Sequence, residues 1–281
     1  MNEITHYDQV SFKISKLVTK TYSTSFSIAV SFLDKRVREA IYSIYGFVRS
    51  ADEIVDSFES YDKEALLEEF ESAYYEALKN RISLNPILHS FQITVRRYQI
   101  PDELIQAFLK SMKADLHKTR YVSKSEIDEY IYGSADVVGL MCLKVFTDGD
   151  DLRYESLKVP AMKLGSAFQK VNFLRDLRSD TEFLNRQYFP EMGNGMFNDQ
   201  VKNEIIKDIE NDFVSARKGI SELPKEVKLA VLIAFYYYRR LVKKIKFTSA
   251  ARLMEARIRI PGTPKMALLI KAYIVFQLKM I

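Results

Sequence analysis

Apolar residues recur at three- and four-residue steps through most of the chain, in long stretches without Gly or Pro, and this period predicts one helix after another. Asp34 and Asp62 mark starts ahead of helices over 35–57 and 63–79, and Pro101 sits at a first-turn position ahead of 102–117. Further helices are expected over 8–20, 86–98, 125–147, 160–177, 198–223, 225–246 and 263–279. The longest break, 185–197, holds Pro190, Gly193 and Gly195 and reads as a loop. No alternation of strand and helix patterns, no repeat and no Pro/Ser/Gly-rich linker interrupts this series. Residues 1–281 are therefore expected to form one all-α domain.

Two of these helices carry a polar stripe beside their core stripe. Over 35–57, Val37, Ile41, Ile44, Val48, Ala51 and Val55 mark a buried face. One residue further round, Tyr45, Arg49, Asp52 and Asp56 follow the same spacing, so two carboxylates stack on one side. Gly165, Gln169, Asn172, Asp176 and Asp180 repeat the design among Leu164, Phe168, Val171, Phe173, Leu174 and Leu177. Stacked like charges repel by about 4 kcal/mol at 4 Å in an effective dielectric of 20, unless cations sit between them. Magnesium takes oxygen ligands and is commonly held by one or two carboxylates together with phosphates, which suits short Asp side chains facing a diphosphate. Asp208 and Asp212 share the spacing, but Glu204, Lys207, Glu210 and Asn211 around them read as a solvated face. A di-iron bundle would need Glu-x-x-His on two helices, and Glu3 with His6 is its sole instance.

Composition narrows the chemistry further. A hydrophobic share of 47% over 281 residues sustains a large core, and the nine glycines never fall as GxGxxG or GxxxxGK[ST], which excludes a Rossmann site and a P-loop. The single Cys142 excludes an intrachain disulfide and a zinc cluster, and with no secretory signal at the start it points to a cytoplasmic setting. The net charge of +5 hides an asymmetry: fifteen Lys and Arg against three Glu give residues 217–281 a charge of +12, leaving −7 for the rest. Such a basic segment could meet nucleic acid, an anionic membrane or a phosphorylated substrate. Arg239, Arg240, Lys243 and Lys244 flank Leu241 and Val242 on one helix, which suits a solvated face or a membrane patch, so no nucleic-acid partner is expected. The helix over 263–279, with Lys265, Lys271 and Lys279 among apolar runs, is either an ordinary packed terminal helix or a peripheral contact with the inner membrane face. Most of the Tyr and Phe residues read as core. A minority lining a cavity could shield a carbocation, because a ring face attracts positive charge.

From about Phe12 onward the chain resembles the squalene/phytoene synthases. The resemblance rests on Ser-Thr-Ser-Phe at 23–26, on the block from Tyr45 through Arg49 to Asp52 and Asp56, and on Gln-Lys-Val-Asn-Phe-Leu-Arg-Asp-Leu-Arg-Ser-Asp at 169–180, followed by Arg186, Tyr188 and Pro190. Residues 128–139 are similar to a further family segment and place Tyr130 on its active-site tyrosine. Ile131, Ser134 and Asp136 depart from the pattern, as do Tyr22 and Thr24 in the opening motif. The resemblance implies an isoprenoid-synthase helical fold with a central cavity. It implies Mg2+, with Mn2+ as an alternative, on Asp52, Asp56, Asn172, Asp176 and Asp180. Catalysis would fall to those aspartates and Tyr130, and substrate binding to Ser23, Ser25, Phe26, Tyr45, Arg49, Gln169, Asn172, Arg175, Arg186, Tyr188, Tyr237 and Arg257. Arg175 reads equally as an ion-pair partner of a motif Asp.

The implied reaction joins two geranylgeranyl diphosphates head to head through a cyclopropylcarbinyl diphosphate to phytoene, without NADPH. The alternative joins two farnesyl diphosphates to squalene or dehydrosqualene. The wording of residues 132–139 and the absence of a hydrophobic anchor favour the phytoene type. Phe26, Val137, Leu140, Leu143 and Phe173 are expected along the apolar wall of the cavity.

Overall fold

The computed structural model describes residues 3–182, 186–192 and 197–278. Thirteen α-helices run through these residues: α1 (Glu3–Tyr22), α2 (Thr24–Val30), α3 (Lys35–Ser57), α4 (Lys63–Asn80), α5 (Pro86–Tyr98), α6 (Asp102–Asp115), α7 (Lys124–Ile131), α8 (Val137–Thr147), α9 (Asp151–Glu182), α10 (Asp199–Glu222), α11 (Lys225–Lys246), α12 (Ala250–Glu255) and α13 (Gly262–Gln277). Among the described residues the only β pairing is an isolated bridge between Arg120 and Gln187. Caps fix several starts. Asp34 accepts from the Arg36 N–H at 3.0 Å and Asp62 from that of Ala65 at 3.0 Å, while Ser123, Asn198 and Ser249 cap α7, α10 and α12.

Three departures from the sequence pattern matter for the site. The helix expected over 125–147 is broken by a π-helical turn, Tyr132–Asp136, between α7 and α8. Its extra residue re-phases the chain. Gly133 sits at the point of closest approach to α6, where a Cβ would fall 2.0 Å from Ser111 Oγ and 2.6 Å from the Ala107 carbonyl. Pro160 does not start a helix but lies inside α9, which begins at Asp151 and runs for 32 residues. Pro160 packs on Gly219 of α10, where an added Cβ would come 2.3 Å from the proline ring, so the missing side chain lets α9 and α10 touch. Of the loop expected at 185–197, residues 186–192 and 197 are described, and Pro190–Met192 forms a 3-10 turn. Pro190 lies in that turn, whereas Gly193 and Gly195 fall outside the described residues.

Two apolar clusters hold the helices. One surrounds α3, where Phe47 stacks on Phe91 with ring centroids 4.0 Å apart and also meets Phe70, Tyr74 and Phe108. The other joins α9, α10 and α11 through Phe173, Phe213, Phe235, Ile209 and Leu241. Helix α3 packs in the first cluster, α9 joins that cluster through Tyr154 and Leu157 and the second through its later turns, and both helices turn their polar stripes to one shared cavity.

Candidate active site

The cavity has a volume of about 880 Å³ and is lined by all seventeen residues marked from the sequence for catalysis, metal or substrate binding. Asp52 and Asp56 come from α3, Asn172, Asp176 and Asp180 from α9, and Ser23, Ser25 and Phe26 from the start of α2. The basic groups at the cavity are Arg49, Arg175, Arg186 and Arg257, together with Arg259, and with Lys265, which the sequence pattern placed on the terminal helix and not at the site. Below them the lining becomes apolar, with Leu143, Phe146, Leu157, Pro160, Leu164, Ala216, Ile220 and Val231.

Three of the four motif carboxylates, Asp52, Asp56 and Asp176, have a guanidinium within 4.0 Å. Arg186 Nη1 donates to Asp56 Oδ1 at 2.8 Å, and Arg257 Nε lies 2.6 Å from Asp176 Oδ1. Arg175 Nε meets both oxygens of Asp176 at 3.1 and 3.0 Å, so the ion-pair reading of Arg175 describes this conformation. Arg49 pairs with Glu53, lies 4.0 Å from Asp52 and carries the Tyr22 ring 4.4 Å from its guanidinium carbon. Asn172 Oδ1 accepts from the Tyr238 hydroxyl at 3.2 Å. Tyr130 donates to Asp115 Oδ2 at 2.7 Å and belongs to a stack of rings in which Phe173 and Tyr188 are 3.9 Å apart.

The electrostatics follow from crowding acids in a recess. Burial and the neighbouring Asp56 push Asp52 up to about 7, and burial and Asp176 do the same to Asp180, also to about 7. Burial raises the Tyr45 hydroxyl to about 12. Among the described residues no three carboxylates, imidazoles or thiols converge on one point, so the acids face the cavity as pairs. An all-oxygen set arranged in pairs fits a divalent ion that shares its remaining ligands with phosphates and waters. The residues present therefore fit magnesium, which Asp52, Asp56, Asn172, Asp176 and Asp180 would hold.

Other residues are placed differently from the sequence expectation. Val137 and Leu140 are buried in the core rather than on the cavity wall, because the π turn re-phases α8 and leaves Ser134, Ala135, Val138, Gly139 and Cys142 at the cavity. Phe26, Leu143 and Phe173 do line it. Asp136 also turns away from the cavity and accepts from Ser166 Oγ of α9 at 2.8 Å. Asp212 is no part of a solvated face: it is 4% exposed. Lys170 Nζ bridges Asp208 and Asp212 at 2.5 and 2.7 Å, and Lys163 adds a contact to Asp212 at 3.1 Å. The spacing of the motif pairs recurs here with lysines of α9 as the counter-charge. Asp115, the fifth carboxylate of the cavity, was not marked from the sequence, since a single Asp near a helix end carries no motif.

A family model described as squalene/phytoene synthase matches residues 19–194. The chain belongs to the squalene/phytoene synthase family. Its relatives include a chloroplastic phytoene synthase from an Oncidium hybrid cultivar, 28% identical over 85% of this chain and 64% of the relative, and a phytoene synthase from Arthrospira platensis, 26% identical over 84% of each. The chain thus spans less than two thirds of the length of the plant relative. Among solved structures, a dehydrosqualene synthase superposes with a TM-score of 0.84 at 22% identity, over 96% of this chain and 98% of that one. A squalene synthase from Alicyclobacillus acidocaldarius gives 0.74 at 20% identity, over 89% and 97%. These two show the fold of the family, an all-α isoprenoid-synthase architecture.

Proposed function

We propose that the chain, acting as one prenyl synthase domain over 1–281, joins two geranylgeranyl diphosphates head to head to phytoene through a cyclopropylcarbinyl diphosphate. The observation that carries this reading is the convergence of the two aspartate pairs and their arginines on one cavity that also has a large apolar lining. The relatives named phytoene synthase support the C20 substrate. Along α9 the lining continues from Asp176 through Gln169, Phe168 and Leu164 to Pro160, from the acidic residues into apolar ones.

The roles follow from position. Arg49, Arg186 and Arg257, with Arg175, Arg259 and Lys265 beside them, bind the diphosphates and hold their oxygens toward the aspartates. Ser23 and Ser25 offer hydroxyls at the same end, and Gln169 adds an amide. When bound at the aspartates, magnesium, or manganese in its place, supplies the positive charge that stabilises the departing diphosphate. Phe26, Tyr45, Phe173, Tyr188 and Tyr237 line the cavity, where aromatic rings stabilise a cation and keep water from it. No reductant enters this route, since the final carbocation loses a proton rather than gaining a hydride.

We also propose peripheral membrane contact through α13. Met266, Ile270, Tyr273, Ile274 and Leu278 are exposed on it, and Lys271 lies alongside. Among the described residues no helix is long and apolar enough to cross a membrane. Tyr237 and Tyr238, the rings of the basic segment that could have stacked on bases, line the cavity, which speaks against the nucleic-acid alternative.

Asp52→Asn and Asp176→Asn test the assignment. Each is expected to lower hydrocarbon formation by at least about a hundredfold with an unchanged circular dichroism spectrum, because a lost ligand removes transition-state stabilisation and not packing. Full activity in either variant would refute the role given to the aspartates.

A further inference from the structure

Coupling two C20 diphosphates to phytoene releases two diphosphates and two protons, so the reaction needs a proton acceptor as well as a site for ionisation. Of the five carboxylates that line the cavity, Asp52, Asp56, Asp176 and Asp180 form the pairs that face the diphosphates. Asp115 is the remaining one. Its side chain is buried at 9% exposure, Oδ2 takes the Tyr130 hydroxyl at 2.7 Å, and Oδ1 is buried with no hydrogen-bond partner among the described residues. Arg186 Nη2 donates to its backbone carbonyl at 3.1 Å, and this pins the residue beside the first aspartate pair. A buried carboxylate with one idle oxygen and one engaged hydroxyl is built to take a proton.

We propose that Asp115, acting through Tyr130, accepts the proton shed by the coupled carbocation; this rests on the diphosphate coupling proposed above. One proton is shed earlier, when the cyclopropane ring closes; in the last step the C–H bond beside the cationic carbon breaks, and its electron pair becomes the second bond of the central carbon–carbon double bond. Tyr130 oxygen takes that proton while its own O–H proton passes along the 2.7 Å hydrogen bond to Asp115 Oδ2. Asp115 then hands the proton to the released diphosphate and the pair resets. Burial raises the Asp115 carboxyl to about 7, against the opposing pull of Arg186, so it holds a proton more readily than a solvated carboxyl would. Tyr130, Arg186, Asp52, Asp56, Tyr121 and Tyr188 are the titratable or charged groups around it.

Asp115→Asn keeps the shape and the acceptor for Tyr130 but cannot take the proton. With geranylgeranyl diphosphate and Mg2+, the parent should release two diphosphates per hydrocarbon. In the Asn variant ionisation continues while the cation is captured by water, so the ratio of diphosphate to hydrocarbon should rise at least tenfold and prenyl alcohols should appear. Tyr130→Phe should raise the ratio likewise, and Asp115→Glu should bring it part of the way back. A ratio that stays at two in both Asp115→Asn and Tyr130→Phe, whether total activity holds or falls, overturns the relay and leaves the coupling intact. A parent that forms no hydrocarbon refutes the coupling itself.

Discussion

Arg186 Nη1 lies 2.8 Å from Asp56 Oδ1 although 130 residues separate the two in the chain. The same guanidinium reaches the Asp115 carbonyl, and the Arg186 N–H donates to the Asp180 carbonyl at 2.7 Å. One side chain thereby joins α3, the end of α6 and the segment that follows α9. Arg186→Met should lower stability by at least about 2 kcal/mol, below the usual cost of breaking a fully buried pair because Asp56 is partly open to solvent. Arg186→Lys should recover part of the stability and little of the activity, since a single ammonium cannot copy the fork. Thermal melts and turnover of both variants check this, and an unchanged melting temperature in Arg186→Met would contradict it.

Asp136 gives a pH dependence with a definite sign. Burial raises its carboxyl from 3.8 to about 7, opposed by the Ser166 hydrogen bond and by Lys163 and Lys170, with Asp212 adding repulsion. The folded protein keeps a proton that the unfolded chain has released, so the stability this group contributes is full below about pH 4 and is lost as pH rises to about 7. Asp136→Asn keeps an acceptor for Ser166 and removes that slope. The variant should melt higher than the parent at pH 8, with the gap closing toward pH 4. A variant less stable than the parent at pH 8 would rule the reading out.

Lys170 sits between Asp208 and Asp212, with Lys163 on the far oxygen of Asp212. Lys170→Met should cost about 3 kcal/mol by leaving a buried carboxylate short of counter-charge, and adding Asp212→Asn should restore part of it. Asp208→Asn should leave turnover within about twofold, because Asp208 is 42% exposed and outside the cavity lining. Urea melts of the single and double variants give the coupling. Strict additivity would show that the three groups do not act together.

How much of this was legible in sequence depends on whether the signal was local. The two stripes, Tyr45 to Asp56 and Gln169 to Asp180, are spacings within single helices, and the structure carries all of them to the cavity. The caps at Asp34 and Asp62 are equally local. What lay hidden was set by partners elsewhere in the chain. Asp208 and Asp212 match the motif pairs in spacing, and only the lysines of α9 mark them as structural. Asp115 acquires its character from Tyr130 and Arg186. Pro160 stays inside a helix because Gly219 leaves room for it, and the π turn that rotates Val137 and Leu140 inward has no periodic signature.

The exposed face of α13 makes the membrane proposal testable by mutation. Flotation with anionic vesicles should carry the protein at low salt, less of it at high salt, and much less of an Ile270→Glu/Ile274→Glu variant, whose substitutions face solvent and spare the core. Flotation that neither salt nor the double substitution reduces, or no flotation of the parent at all, would exclude α13 as the contact.

The most direct measurement is product identity. The purified protein is incubated with Mg2+ and either geranylgeranyl or farnesyl diphosphate, each with and without NADPH, and the hydrocarbon is identified by mass. The relatives named phytoene synthase, together with an apolar lining beside two aspartate pairs, lead us to expect a C40 hydrocarbon from geranylgeranyl diphosphate, formed equally well without NADPH. A C30 hydrocarbon as the main product would contradict the C20 assignment, and no hydrocarbon from either substrate would contradict the coupling reaction as a whole.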